Sequence, residues 1–430
     1  MTIINQYKRL PRAFSLVFIL AALGLLIPSI GVASDNLQFS GFASIGAGKL
    51  DRSDLPFMDY DDEWSFDTDS ILAGQVQYQI SNRWSGTVQV IARGFTFNDN
   101  DNYKPVLEWL FLSYQWSAET RWRFGRLRSP LYLLSDSLEI GYSYPWARPP
   151  VDTYSYLLTA ISNFDGLDFS SNIEVNDSLD LDLQLFAGVA DGKYIDFDIH
   201  IEPMAGMNLV ANWDNITARY GLTMANTDAS SASLDPLVNG FNTFASATNL
   251  PVFAEIADSH STENEWFQYH NLGLQWDIDN FSIIAEAYAI VGPGKDFSND
   301  AKGWYLSFSQ QIGSVAPYIV FGYYKNEFSD DIETLIHESY EIIAENAVGI
   351  LPPANQTALD ALRATDLAVV DNFNEKGRTY TAGIRYDFHP QADIKLEFQY
   401  FDSTALLTRT TEAHEDKESL LTTIVMDVVF

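Results

Sequence analysis

Apolar and polar residues alternate one by one along most of the chain, in segments broken by short polar runs. In DLDLQLFAGVA, Leu181, Leu183, Leu185, Ala187 and Val189 share one face, against Asp182, Gln184 and Gly188. ADIKLEFQYF sets Ile394, Leu396, Phe398 and Tyr400 against Lys395, Glu397 and Gln399. RTYTAGIRYDF sets Tyr380, Ala382, Ile384, Tyr386 and Phe388 against Thr379, Thr381, Gly383, Arg385 and Asp387. ITARYGLTM does the same with Ile216, Ala218, Tyr220 and Leu222. A period of two is that of a strand whose two faces meet different surroundings.

The breaks are alternately short and long. Short ones fall at 81–83, 117–120, 176–178, 213–215, 277–280, 313–315 and 389–391. Long ones fall near 49–69, 97–105, 127–162, 190–201, 226–264, 291–301, 326–377 and 403–418. Seven short turns and eight long loops predict 16 antiparallel strands. A soluble sandwich would also alternate. It would not place bulky aromatic residues at so many strand ends.

Composition sharpens the choice. Residues 1–34 carry Lys8, Arg9 and Arg12, then an apolar run ending in Gly31, Ala33 and Ser34, the pattern of a secretory signal peptide. Without that segment 22 of the 25 basic residues remain against 58 acids, a net charge of −36. Such a chain does not bind nucleic acid by neutralising phosphates. It has no cysteine, so an exported fold of this size stands without disulfides. Beyond the leader no run reaches the length of a transmembrane helix. Yet 47% of the chain is hydrophobic and 14% aromatic. A closed transmembrane β-barrel accommodates all of this. Apolar side chains face lipid, polar ones face a wet lumen, and every backbone group is paired.

The last segment, LLTTIVMDVVF, places Leu420, Ile424, Met426, Val428 and the terminal Phe430 on one face. A final strand alternating to a C-terminal Phe resembles the assembly signal of bacterial outer-membrane proteins. With the opening LQFSGFASIGAG, the strand exit FGRLRSP and the strand rhythm, the mature chain resembles the general porins of Gram-negative bacteria. The resemblance implies an outer-membrane homotrimer in contact with lipid and lipopolysaccharide. It implies a water-filled channel for ions and small hydrophilic solutes, with no enzymatic role and no cofactor. It also implies that the third long connection folds into the barrel and narrows it.

That connection, 129–160, carries Asp136, Glu139 and Asp152, with Arg148 opposing them. The strand before it carries Arg121, Arg123, Arg126 and Arg128, and an earlier strand adds Arg93. These nine residues are the expected constriction, with arginines on the wall and carboxylates on the loop. Opposite charges across a narrow wet gap order water and penalise apolar solutes. The three loop acids are expected to face water. Trp122 and Phe124 facing lipid would send Arg121 and Arg123 inward. Strict alternation would then send Arg126 and Arg128 outward; a bulge near Gly125 would return both to the lumen, and a strand ending there would give them to the loop. The alternative is that the cluster only pairs with loop acids to hold the loop down, which is compatible with a role in the pore.

Other features change little. The acid- and Asn-rich tips at 59–64 and 98–102 lack an EF-hand's spacing. GPGKD at 292–296 is a turn, not a phosphate loop. Residues 331–370 leave the β rhythm, with Ile332, Leu335, Ile336, Tyr340 and Ile343 at helical spacing, and predict a helical insert in the seventh long loop. A diffusion pore, a pore preferring one class of solute, an outer-membrane enzyme and an adhesion barrel are the competing functions. The excess of acids favours cations at the mouth.

Overall fold

The period-two segments form strands β1 (Leu37–Leu50), β2 (Ile71–Gln79), β3 (Trp84–Arg93), β4 (Val106–Gln115), β5 (Thr120–Arg128), β6 (Asn163–Asn176), β7 (Leu179–Tyr194) and β8 (Phe197–Trp213). They continue as β9 (Ile216–Ser231), β10 (Thr262–Ile278), β11 (Phe281–Val291), β12 (Asp300–Gln310), β13 (Val315–Glu327), β14 (Glu375–His389), β15 (Ala392–Ser403) and β16 (Lys417–Val429). The structure is a computed structural model describing residues 36–54, 57–96, 102–154, 161–194, 197–231, 235–259, 261–292, 300–327, 357–362, 364–365, 375–403 and 417–430.

Each strand pairs antiparallel with its sequence neighbours, and β1 pairs with β16, so the sheet closes into a 16-strand barrel without edges. The outer face is apolar and exposed, with Leu110, Leu112, Leu272, Ile319, Phe398 and Ile424 among its residues. Aromatic pairs such as Trp84–Tyr114 and Trp122–Phe169 cross between strands on that face. Water would not tolerate so continuous an apolar belt, whereas hydrocarbon would. Among the described residues no helix is long and apolar enough to cross a membrane, so the crossing elements are strands.

All seven short turns occur where the polar breaks place them. Asp214, Asp279 and Gly313 take positive φ within them, which Gly and Asp tolerate. Asn36 and Phe430 both lie at the short-turn end, Asn36 O accepting from Gln79 N and Phe430 pairing with Gly41.

One long connection is corrected. Within 190–201, residues 190–194 and 197–201 are strand: β7 and β8 run on as a ribbon and pair from Gly188↔Met204 to Tyr194↔Phe197. Register shifts between Gly188 and Ala190 and between Ile201 and Met204 break the alternation that would have revealed the strands. The fifth connection holds helices not foreseen, α1 (Asp235–Thr248) and α2 (Pro251–Ser259). Leu237, Phe241, Phe253 and Ile256 form a core between them, joined by Leu359 from the seventh connection. Of the helical insert predicted at 331–370, residues 357–362 and 364–365 are helical. The rest of it, and the predicted leader at 1–34, lie outside the described residues.

Candidate functional site

The third connection is bonded to inward-facing side chains of the wall. Arg219 on β9 donates to Pro130 O and Leu131 O, and Leu133 N donates to Glu286 on β11. Trp146 Nε1 donates to Ser307 Oγ on β12, and Ala147 N to Glu397 on β15. Lys395 Nζ donates to Gly141 O at 2.6 Å, and Tyr142 OH reaches Pro390 O in the last short turn. These wall groups alternate with exposed apolar ones, Lys395 and Glu397 with Ile394 and Phe398 for example, so they point into the barrel. The loop therefore crosses the lumen from β5 and descends along β14–β16 to the short-turn end. Against it Lys395, Glu397, Thr423 and Asp427 are all but inaccessible.

Close approach of loop to wall depends on glycine. A Cβ at Gly141 would stand 2.1 Å from Asp427 Oδ1, and one at Gly303 would stand 2.2 Å from Asp152 O. Aromatic rings fill the remaining space, Trp146 and Tyr154 both packing on Tyr305.

The nine expected residues divide into four groups. Arg93 and Arg128 bind Glu108 and Glu139 in a compact cluster of two cations and two anions, with Arg93–Glu139 at 2.7 Å and Arg128–Glu108 at 2.6 Å. Burial would raise the Glu139 carboxyl, but Arg93 and Arg128 outweigh it and hold it down at about 2. Arg128 also donates to Ser135 O, so the cluster ties the loop to the wall where it leaves β5.

Arg148 and Asp152 anchor the far limb. Arg148 is buried and pairs with Asp69 at 2.6 Å and Glu397 at 3.5 Å, with Gln399 and Thr423 as further acceptors. Asp152 is wholly buried and its Oδ2 accepts from Thr379 Oγ1 at 2.5 Å, while Oδ1 has no partner. Burial pushes its carboxyl up to about 7, against the opposing pull of the Thr379 hydroxyl and of a backbone N–H. The expectation that Glu139 and Asp152 face water is thus corrected: both are consumed in seating the loop.

Arg121, Arg123 and Asp136 form the third group. Arg121 is exposed on the inner face, beside Arg123, whose guanidinium forms a bidentate pair with Asp168. Asp136 is the exposed carboxylate of the loop and lies within electrostatic reach of Arg121, Arg123 and Arg219.

Arg126 stands apart, on the outer face. It is registered with Leu110, which is exposed to the outside, and pairs with Asp165 at 2.7 Å. Gly125 absorbs the strain near it with φ of 134° but inserts no extra residue, so parity does not flip. Arg128 turns inward only because the strand ends there.

Sequence reading missed Glu108, Asp168, Arg219 and Glu286. Asp168, Arg219 and Glu286 are each a lone polar residue flanked by apolar ones, which is the available signal, but their partners lie on other elements; Glu108 has the outward parity of Leu110 and turns inward only at a register shift. Among the described residues no group of His, Cys, Asp and Glu is arranged to hold a metal ion.

No known family model matches the chain, and no curated protein matches it in sequence. Solved structures do resemble it. The outer membrane channel DcaP of Acinetobacter baumannii matches 93% of this chain and 99% of its own, at 11% identity and a TM-score of 0.53. The trimer form of OmpT, an outer membrane protein of Vibrio cholerae, covers 92% and 99% at 12% identity and a TM-score of 0.51. An anion-selective porin from Comamonas acidovorans covers 92% and 99% at 9% identity and a TM-score of 0.50. The chain has the fold of these outer-membrane proteins.

Proposed function

We propose that the protein is an outer-membrane porin, a water-filled channel for passive diffusion of ions and small hydrophilic solutes, and not an enzyme. One observation carries the reading. A closed barrel with an apolar outside and a polar inside has its third connection bonded to the inner wall, with the exposed Asp136 of that connection within electrostatic reach of the exposed Arg121. Such a pair sets a field across the water that remains, which favours ions and polar solutes over apolar ones. The short turns then face the periplasm and the long loops the exterior, as in barrels of this class. A homotrimer seated among outer-membrane lipid and lipopolysaccharide fits the reading, and the similar OmpT structure is itself described as a trimer form.

A second reading, a pore preferring one class of solute, draws on the depth of the loop. A loop reaching Pro390 leaves less lumen than one confined to mid-height. Conductance of purified protein in planar bilayers separates the two. Current that rises linearly with salt marks the diffusion pore, and block by a particular solute marks the selective one. Absence of any channel activity would overturn both.

A further inference from the structure

A chain of side-chain hydrogen bonds runs around the inner wall over seven strands. Arg123 on β5 binds Asp168 on β6; Gln184 on β7 donates to Asp168 at 2.9 Å; Asn208 on β8 donates to Gln184 at 3.1 Å. Arg219 on β9 donates to Asn208 and Asn271, and Asn271 on β10 donates to Glu286 on β11 at 2.8 Å. Tyr154 of the loop closes the series on Glu286 at 2.5 Å.

Arg219 grips the loop first where it leaves the wall, and Glu286 takes it two residues later through Leu133 N. The Arg219 guanidinium donates to Pro130 O at 2.6 Å and Leu131 O at 3.2 Å, besides the amide oxygens of Asn208 and Asn271. All four acceptors are neutral, and only a planar fork reaches them together. The next inward position on β9 is Gly221, and it makes the room. A Cβ there would lie 2.7 Å from Asn208 Oδ1 and 3.0 Å from each terminal nitrogen of Arg219. Two amides hold the fork from either side, so its aim is fixed before the loop meets it.

Resting on the channel reading, we propose that Arg219 is a positioning residue that pins the first limb of the loop and so sets where Asp136 stands against Arg121 and Arg123. Arg219 does not itself have to meet the solute. Its grip on two carbonyls only five and six residues before Asp136 limits how far that carboxylate can swing. Glu139 and Arg93 hold the limb on the other side of Asp136, so the acid sits between two fixed points.

The test uses a reporter cysteine in a chain that has none. Ser135 is buried beside Asp136, and Ser135→Cys changes little in size. In full-length protein in detergent or bilayers, a water-soluble thiol reagent should label this reporter slowly. Adding Arg219→Gln should speed labelling several-fold and raise single-channel conductance with more open-channel noise. Gly221→Ala keeps the charge and crowds the side-chain ends of Arg219 and Asn208. It should do the same, so the result stands even where Arg219→Gln folds poorly. Arg219→Lys keeps the charge but not the fork, and should also label faster than the parent. Folded variants with parental labelling and parental noise would overturn the assignment. So would a change confined to reversal potential in Arg219→Gln with Arg219→Lys normal, which would mark a role through charge alone. A parent that never conducts would defeat the channel reading, while the labelling rates would still report on Arg219.

Discussion

Asp152 seats its carboxylate over Gly322, where a β-carbon would stand 2.0 Å from Oδ2. The fit of loop to wall therefore depends on a missing side chain. Gly322→Ala should unseat the far limb while leaving the barrel closed, because the residue lies on the inner face and its strand pairing is untouched. Conductance should rise and the limb should become open to protease. Gly74, where a Cβ would meet nothing within 4 Å, supplies the control, and Gly74→Ala should be silent. Equal behaviour of the two variants would defeat the prediction.

The same carboxyl gives the loop a dependence on pH. In the unfolded chain it titrates near 3.8, and in its seat it titrates at about 7. The folded value is the higher one, so the seat loses stability as pH rises from about 4 through about 7 and is steady beyond. The seated limb should be held best in acid and less well at pH 8. Protease cleavage of the limb, followed between pH 5 and pH 8, should increase with pH in the parent. In Asp152→Asn that dependence should be flat.

Two arginines two residues apart should differ sharply. Arg126 and Asp165 are 42% and 48% exposed at the loop end of β5, at the rim of the apolar belt, and rim pairs in water contribute less than about 1 kcal/mol. Arg126→Ala should leave stability and conductance near parental values. Arg128 and Glu108 are 4% and 2% exposed. Arg128→Ala leaves a buried carboxylate with Arg93 alone and should cost about 3 kcal/mol or more in chemical denaturation. Similar losses from both variants would show that the assignment of faces is wrong.

Selectivity should follow one loop acid, not three. Asp136 is in water, whereas Glu139 and Asp152 are tied up in contacts. Asp136→Asn should shift the reversal potential in a salt gradient towards anions, because Arg121 is then opposed only by Asp168, which Arg123 already pairs. Asp152→Asn should leave that potential unchanged. The reverse pattern would place the selectivity elsewhere on the loop.

The barrel was legible because its signal is repeated. Leu181 to Val189 or Ile394 to Tyr400 each follow a period of two, and the short turns recur between them. The ribbon at 190–201 escaped because a register shift moves the apolar set to the other parity. Helices α1 and α2 escaped because a spacing such as Leu237 to Phe241 is brief and lies inside a long polar connection. At the site, the residues were largely visible and their roles were not. Arg93, Arg128 and Glu139 look like open charges in one dimension. The two arginines are balanced by Glu139 together with Glu108, which the strand brings in through a register shift opposite Gln89 and Val90. Partnership across strands is a property of register, and no local pattern encodes it.

Gly41 and Phe430 exchange both of their backbone hydrogen bonds, at 2.8 and 2.9 Å, and so close the barrel between its first and last strands. Every other pairing joins neighbours in the chain and can form as a hairpin. This one must bring together ends separated by nearly the whole polymer, at an entropic cost that grows with the logarithm of that length. Until it forms, β1 and β16 are bare edges able to recruit any passing strand. The order of assembly is thereby constrained: local hairpins first, the seam last. A permuted gene that joins Asn36 to Phe430 by a short linker and opens a long loop instead would make the seam a hairpin. It would move the kinetic bottleneck to whichever pair of strands became terminal.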